Sequence, residues 1–133
     1  LDGYGAVYQG RFKAIPVSSD GHFLWVCRYV ERNALRANMV SSAEEWRWSS
    51  LAQRQRNGSD DVALSDWPVQ RSENWVAEVN APQTPAELEA FRRAMRCGEP
   101  FGAEEWRAQT SAALGLQRVR GPGRPRRATV LGK

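Results

Sequence analysis

The sequence predicts an α+β fold, and three patterns carry that prediction. Ala6 to Val17 alternates with a period of two and is rich in β-branched and aromatic residues, which is strand patterning. Phe23, Val26, Cys27 and Val30 stand at i, i+3, i+4 and i+7, the apolar stripe of a helix that packs on a sheet. Two later stretches, 85–96 and 103–114, carry the start and stop chemistry of helices. The expected order is a strand and a packed helix over 1–40, a mainly helical region over 41–116, and a basic, disordered tail over 117–133.

In the strand, Val7, Gln9, Arg11, Lys13 and Ile15 face one way, and Tyr8, Phe12 and Ala14 the other. Pro16 confines it to a terminus or a sheet edge, and a lone strand needs partners to persist in water. Arg11 and Lys13 either meet a phosphate backbone or sit as solvated edge charges. Ser18-Ser19-Asp20 supplies acceptors for unpaired helix amides, so a helix is expected from Gly21 to Asn33. Trp25, Tyr29 and Asn33 share one line along it, with His22 read as a surface residue at its N-terminus. Glu31 and Arg32 point off that line and read as surface charges. Arg36 either contacts a phosphate or pairs in solvent with Glu31 or the neighbours of Arg32.

Ser42 and Glu45 have capping-box spacing ahead of a short helix, and Trp46 and Trp48 read as core anchors, with base stacking as the alternative. Residues 53–61 are polar and loop-like; 63–67 and 75–79 are apolar pieces of unassigned type. Thr84, Pro85 and Glu87 are an N-cap, an N1 proline and an N3 glutamate. Leu88, Phe91, Ala94 and Met95 form the buried stripe of that helix, and Gly98 stops it. The last helix turns Trp106, Thr110, Ala113 and Leu114 inward and ends at Gly115. The pair is an ordinary helical hairpin or a helix-turn-helix relative.

At 133 residues the chain is one domain or part of a larger one. No apolar run is long enough to span a bilayer, and no charged-then-apolar leader opens the chain, so a cytoplasmic location is expected. Cys27 and Cys97 lie far apart and near no histidine cluster, which favours reduced thiols over a metal site. The net charge is +4, and the five arginines 118, 120, 124, 126 and 127 stand together with no acidic residue among them. That imbalance favours nucleic acid over a membrane, since no basic amphipathic helix accompanies it. Gly123-Arg124-Pro125 flanked by arginine admits a minor-groove hook or a basic tail with general phosphate affinity.

Tyr29-Val30-Glu31-Arg32-Asn33-Ala34-Leu35-Arg36-Ala37-Asn38-Met39-Val40 is the stretch around which the rest is organised. Its spacing alone fits either a helix end with a half-buried tyrosine or a phenol and an amide set to attack a phosphodiester. The stretch resembles the Y-[VI]-x-R-N-P-[VL]-[RK]-A-G-L-V signature of the REP-associated tyrosine transposases, single-tyrosine members of the HUH family. Trp46-Arg47-Trp48-Ser49-Ser50 is similar to that family's W-x-W-S-S, and Gln9-Gly10-Arg11-Phe12-Lys13 to its Q-G-R-[FY]-K strand. Further similar words fall at 83–88, 98–102 and 123–126, in the family's order. Ala34 stands where the family has proline, and Asn38 where it has glycine; asparagine tolerates the left-handed conformation.

The resemblance implies that residues 1–40 are the end of a ferredoxin-like HUH antiparallel sheet with its nucleophile helix, and that 41–116 is a helical DNA-binding region. It implies that Tyr29 attacks single-stranded hairpin DNA to give a 5′-phosphotyrosine and a free 3′-OH, a step that is later reversed. Mg²⁺ or Mn²⁺ would be held by an H-x-H pair with Asn33 as auxiliary ligand. Arg11, Lys13, Arg36, Arg118, Arg120, Arg124, Arg126 and Arg127 would contact DNA. Family members occur as dimers and as monomers, which leaves a homodimer open. This chain has one histidine and lacks the pair. His22 stands eleven residues before Asn33, roughly 16 Å along a helix, too far to share one ion. Together with the start at Leu1, this predicts a truncated fragment that does not cleave DNA efficiently alone. The competing readings are a non-catalytic DNA-binding regulator derived from such a transposase, and a decayed gene product.

Overall fold

Ser19 opens the first helix: its backbone is extended and its hydroxyl accepts from the His22 amide, so α1 runs Asp20–Glu31. A computed structural model of the chain describes residues 14–56 and 63–116. Arg32 turns the chain, and a single further turn, α2 (Asn33–Arg36), follows. Asn38 ends it with φ of 56°. Its amide donates to the Leu35 carbonyl and the Met39 amide to that of Ala34, a left-handed stop that satisfies two orphan carbonyls. Asparagine therefore does the work expected of glycine at this position. A 3₁₀ turn (Ala43–Glu45) comes next, and then four helices: α3 (Ser50–Gln55), α4 (Trp75–Asn80), α5 (Pro85–Cys97) and α6 (Glu104–Ala113).

The described residues are thus mostly helical, with six α-helices and no strand among them. Most of the strand expected over Ala6–Val17 lies outside the described residues. Within its described end, Val17 alone pairs, in a parallel bridge to Phe101. The Phe101 amide donates to the Pro16 carbonyl at 2.9 Å and the Ser18 amide to the Phe101 carbonyl at 3.1 Å. Gly102 permits this approach, because a Cβ there would collide with the Ser18 side chain.

Ala43, Leu51, Trp75 and Val79 form the buried centre, with Leu24, Cys27, Leu35, Trp67 and Val76 packed around them. A second, aromatic layer joins Trp25, Tyr29, Phe91 and Phe101, whose ring centroids lie 4.6 to 5.9 Å apart. Phe91 and Ala94 are buried on α5, as its stripe predicts. The Thr84 hydroxyl and amide donate to the Glu87 carboxylate, and the hydroxyl, followed by the backbone amide, holds that carboxyl below the usual range. Gly98 closes the helix at φ of 68°.

Several expectations change. α1 ends at Glu31 rather than Asn33, because the chain turns at Arg32. The loop-like stretch from Gln53 is helical as far as Gln55, because the Ser49 hydroxyl accepts from the Ala52 amide and starts α3. Trp48 is 71% exposed. Leu51 and Ala52 take the core places that follow it, and Arg47 covers its ring at 4.1 Å. Ala113 and Leu114 face solvent, and Val30, counted in the inward stripe of α1, is 62% exposed. His22 is half-buried, with Nδ1 2.8 Å from the Ser19 hydroxyl and its ring edge-on to Phe101.

Candidate functional site

Helical spacing places Tyr29, Asn33 and Arg36 on one side of the α1–α2 junction. The Arg36 guanidinium joins them. It lies 4.0 Å from the centroid of the Tyr29 ring. One of its nitrogens donates to Asn33 Oδ1 at 2.8 Å and the other to the Tyr29 carbonyl at 3.3 Å. Trp25 stacks near-parallel to Tyr29 at 5.9 Å, and Phe91 of α5 approaches it to 4.6 Å. The phenol is therefore walled by two aromatic rings and a cation. No hydrogen bond to its oxygen is formed among the described residues.

Glu31 and Arg32 fix this junction from behind, and neither is the surface charge expected. Glu31 is 4% exposed: one carboxylate oxygen accepts from the Ser50 hydroxyl and the other from the Trp75 indole N–H, both at 2.7 Å. It cannot pair with Arg36 in solvent. Its charge, after burial itself, pushes the neighbouring Cys27 thiol up to about 11. Arg28 and Arg32, one turn apart, both reach the end of α4. Arg28 donates to the carbonyls of Ala81 and Pro82, and Arg32 to those of Val79 and Asn80. These carbonyls carry the negative end of the helix dipole, so two cations there satisfy orphan acceptors and complement the field. Burial, then Arg28, then Arg36 lower the Arg32 pKa.

Tyr29 lines a surface groove of about 460 Å³ with Val26, Val30, Phe91 and Met95, rimmed by Arg92 and Arg96. Asn33 opens instead into a neighbouring groove of about 280 Å³ beside Val30, Met39, Trp46 and Trp48. Arg92 was not legible as part of this surface; its only signal is a place on α5 off the buried stripe. The remaining expected contacts, Arg11, Lys13, Arg118, Arg120, Arg124, Arg126 and Arg127, lie outside the described residues.

The oxygens here do not make a divalent-ion site. Asn33 Oδ1 is bonded to a guanidinium, and Glu31 is turned into the core on two other donors. Among the described residues no group of three His, Cys, Asp or Glu can hold a metal. The described helices include none long and apolar enough to cross a membrane. What the arrangement offers chemically is a phenol beside a fixed cation, with Arg92 at the rim to receive an anion; Arg96 beside it is already paired with Glu89 at 2.6 Å. In comparisons with known families, curated proteins and solved structures, nothing matches this chain.

Proposed function

We propose that this chain carries the nucleophile and DNA-binding parts of a single-tyrosine HUH transposase that cleaves and rejoins single-stranded hairpin DNA. The observation that supports the reading is the guanidinium of Arg36 against the ring of Tyr29, in a helix otherwise held by buried polar contacts. In the step itself the phenol oxygen attacks phosphorus and forms a P–O bond. The P–O3′ bond breaks, and the departing 3′ oxygen takes up a proton as the phenol loses its own. Arg36 fits a role in holding the phosphate beside the phenol, because guanidinium pairs with phosphate oxygens. The phosphotyrosine keeps the bond energy for rejoining. The expected Mg²⁺ or Mn²⁺ needs ligands beyond the described residues, and so does the sheet of the ferredoxin-like domain.

The test is a covalent-adduct assay with hairpin-bearing single-stranded DNA and Mg²⁺ or Mn²⁺. It is run on this chain and on any longer in-frame product that contains it. The chain alone is expected to bind DNA without forming an adduct. The longer product is expected to form one that Tyr29→Phe abolishes. An adduct that survives Tyr29→Phe, or none from a longer product carrying an H-x-H pair, overturns the assignment. DNA binding without any adduct favours the second reading, a regulator that keeps the DNA grip and has lost the chemistry.

A further inference from the structure

A third groove, of about 480 Å³, runs between α3 and residues 67–76 and shares no lining residue with the surfaces around Tyr29 and Asn33. Its chemistry is one-sided. The guanidinium of Arg71 lies 4.6 Å from the centroid of the Trp67 ring, and that of Arg54 lies 5.7 Å from it. Arg54 is anchored by a 2.6 Å bond to the Ser65 carbonyl. Its Nε–H and the indole N–H of Trp67 are nonetheless buried without an acceptor. Arg71 makes no hydrogen bond or ion pair with another described residue. Two guanidinium groups thus flank one indole at this concavity, and among the described residues the only acid in its lining is the exposed Glu73. Half-buried Val69 and Val76 supply an apolar wall.

Two guanidinium groups at one concavity suit an occupant that brings acceptors and negative charge. The apolar wall and the half-buried Arg71 guanidinium suit a flat ring. We infer that this groove takes one nucleotide unit of a single-stranded nucleic acid. Its phosphate sits on Arg54 and Arg71, and its base lies against the Val69–Val76 wall. The inference rests on the DNA-binding reading above and adds to it a subsite away from the nucleophile. The volume fits a nucleotide better than a lone phosphate. An acidic peptide would match the charge and leave the apolar wall unused.

The experiment uses the full chain and a fluorescently labelled short thymidylate oligonucleotide at fixed salt, read by anisotropy and by ultraviolet crosslinking with peptide mapping. Arg71→Ala is expected to weaken binding about 5-fold with an unchanged circular dichroism spectrum, and Glu73→Gln to tighten it about 2-fold. A gain of affinity cannot come from misfolding. Crosslinks are expected in the peptide that contains Trp67. If wild type binds, both variants match it, and crosslinks fall outside residues 54–76, the groove is overturned while DNA binding stands. No binding by wild type overturns both. Equal competition by a glutamate-rich peptide of the same charge overturns the nucleotide assignment.

Discussion

The Arg36 guanidinium covers the ring of Tyr29 at 4.0 Å while its nitrogens hold Asn33 Oδ1 and the Tyr29 carbonyl. One arginine thus ties a side chain, an amide and a backbone group across two turns of helix. In a double-mutant cycle, Tyr29→Leu and Arg36→Ala should show a coupling of about 0.5–1 kcal/mol in urea unfolding. Tyr29→Phe keeps the ring and should change stability by less than about 0.5 kcal/mol, since its oxygen has no bond to lose among the described residues. A zero coupling would mean that the cation and the ring do not meet in solution.

Glu31 should be intolerant of its own amide. Both partners, the Ser50 hydroxyl and the Trp75 indole, donate to it. Glu31→Gln sets an NH₂ group against the indole N–H, or forces Ser50 to reverse, at a cost of about 1–3 kcal/mol in the free energy of urea unfolding. Trp75→Phe in the same background should recover part of that loss, because it removes the opposed donor.

The two arginines at the end of α4 give a separate test. Arg32→Ala should lower stability by about 1–2 kcal/mol, through the carbonyls of Val79 and Asn80 left unmatched. Arg32→Lys should restore less than half of it, since an ammonium cannot span two carbonyls as a planar fork does. Hydrogen exchange in α4 should rise in both variants.

The cysteines should separate by reactivity. Burial first and the Glu31 carboxylate second raise the Cys27 thiol from 9.0 to about 11. At pH 8 it then holds roughly 100-fold less thiolate than an ordinary thiol, so iodoacetamide should label the exposed Cys97 first. The linkage has a definite sign. The folded chain keeps a proton that the unfolded chain gives up near pH 9, so this contribution is complete below 9 and is lost as the pH rises toward 11. The difference in stability between wild type and Cys27→Ala should therefore shrink across that window.

Elements with local causes were legible in the sequence. Thr84, Pro85, Glu87 and Gly98 set α5 by contacts within a few residues, and its ends fall within one residue of expectation. Asn38 was legible for the same reason. The candidate site was legible in part: the spacing brings Tyr29, Asn33 and Arg36 to one side, as a helix must. Periodicity could not show that Glu31 is buried, because it ranks side chains by apolarity. The partners that make burial tolerable stand 19 and 44 residues away, at Ser50 and Trp75. α4 was unassigned because its stability comes from Arg28 and Arg32 rather than from its own short sequence. Trp48 misled for the converse reason: a large apolar ring marks a core only when the backbone turns it inward.

The pairing of Val17 with Phe101 has a consequence for the order of assembly. It closes a loop of roughly 80 residues through two backbone hydrogen bonds, so its entropic cost is met only after the intervening helices have condensed. Contacts of that kind form late and open early. The turn after α5 therefore acts as a clasp on the entry to α1. Loosening it, as Gly102→Ala would, should free residues 14–18 to exchange their amides while the tryptophan-lined centre stays closed.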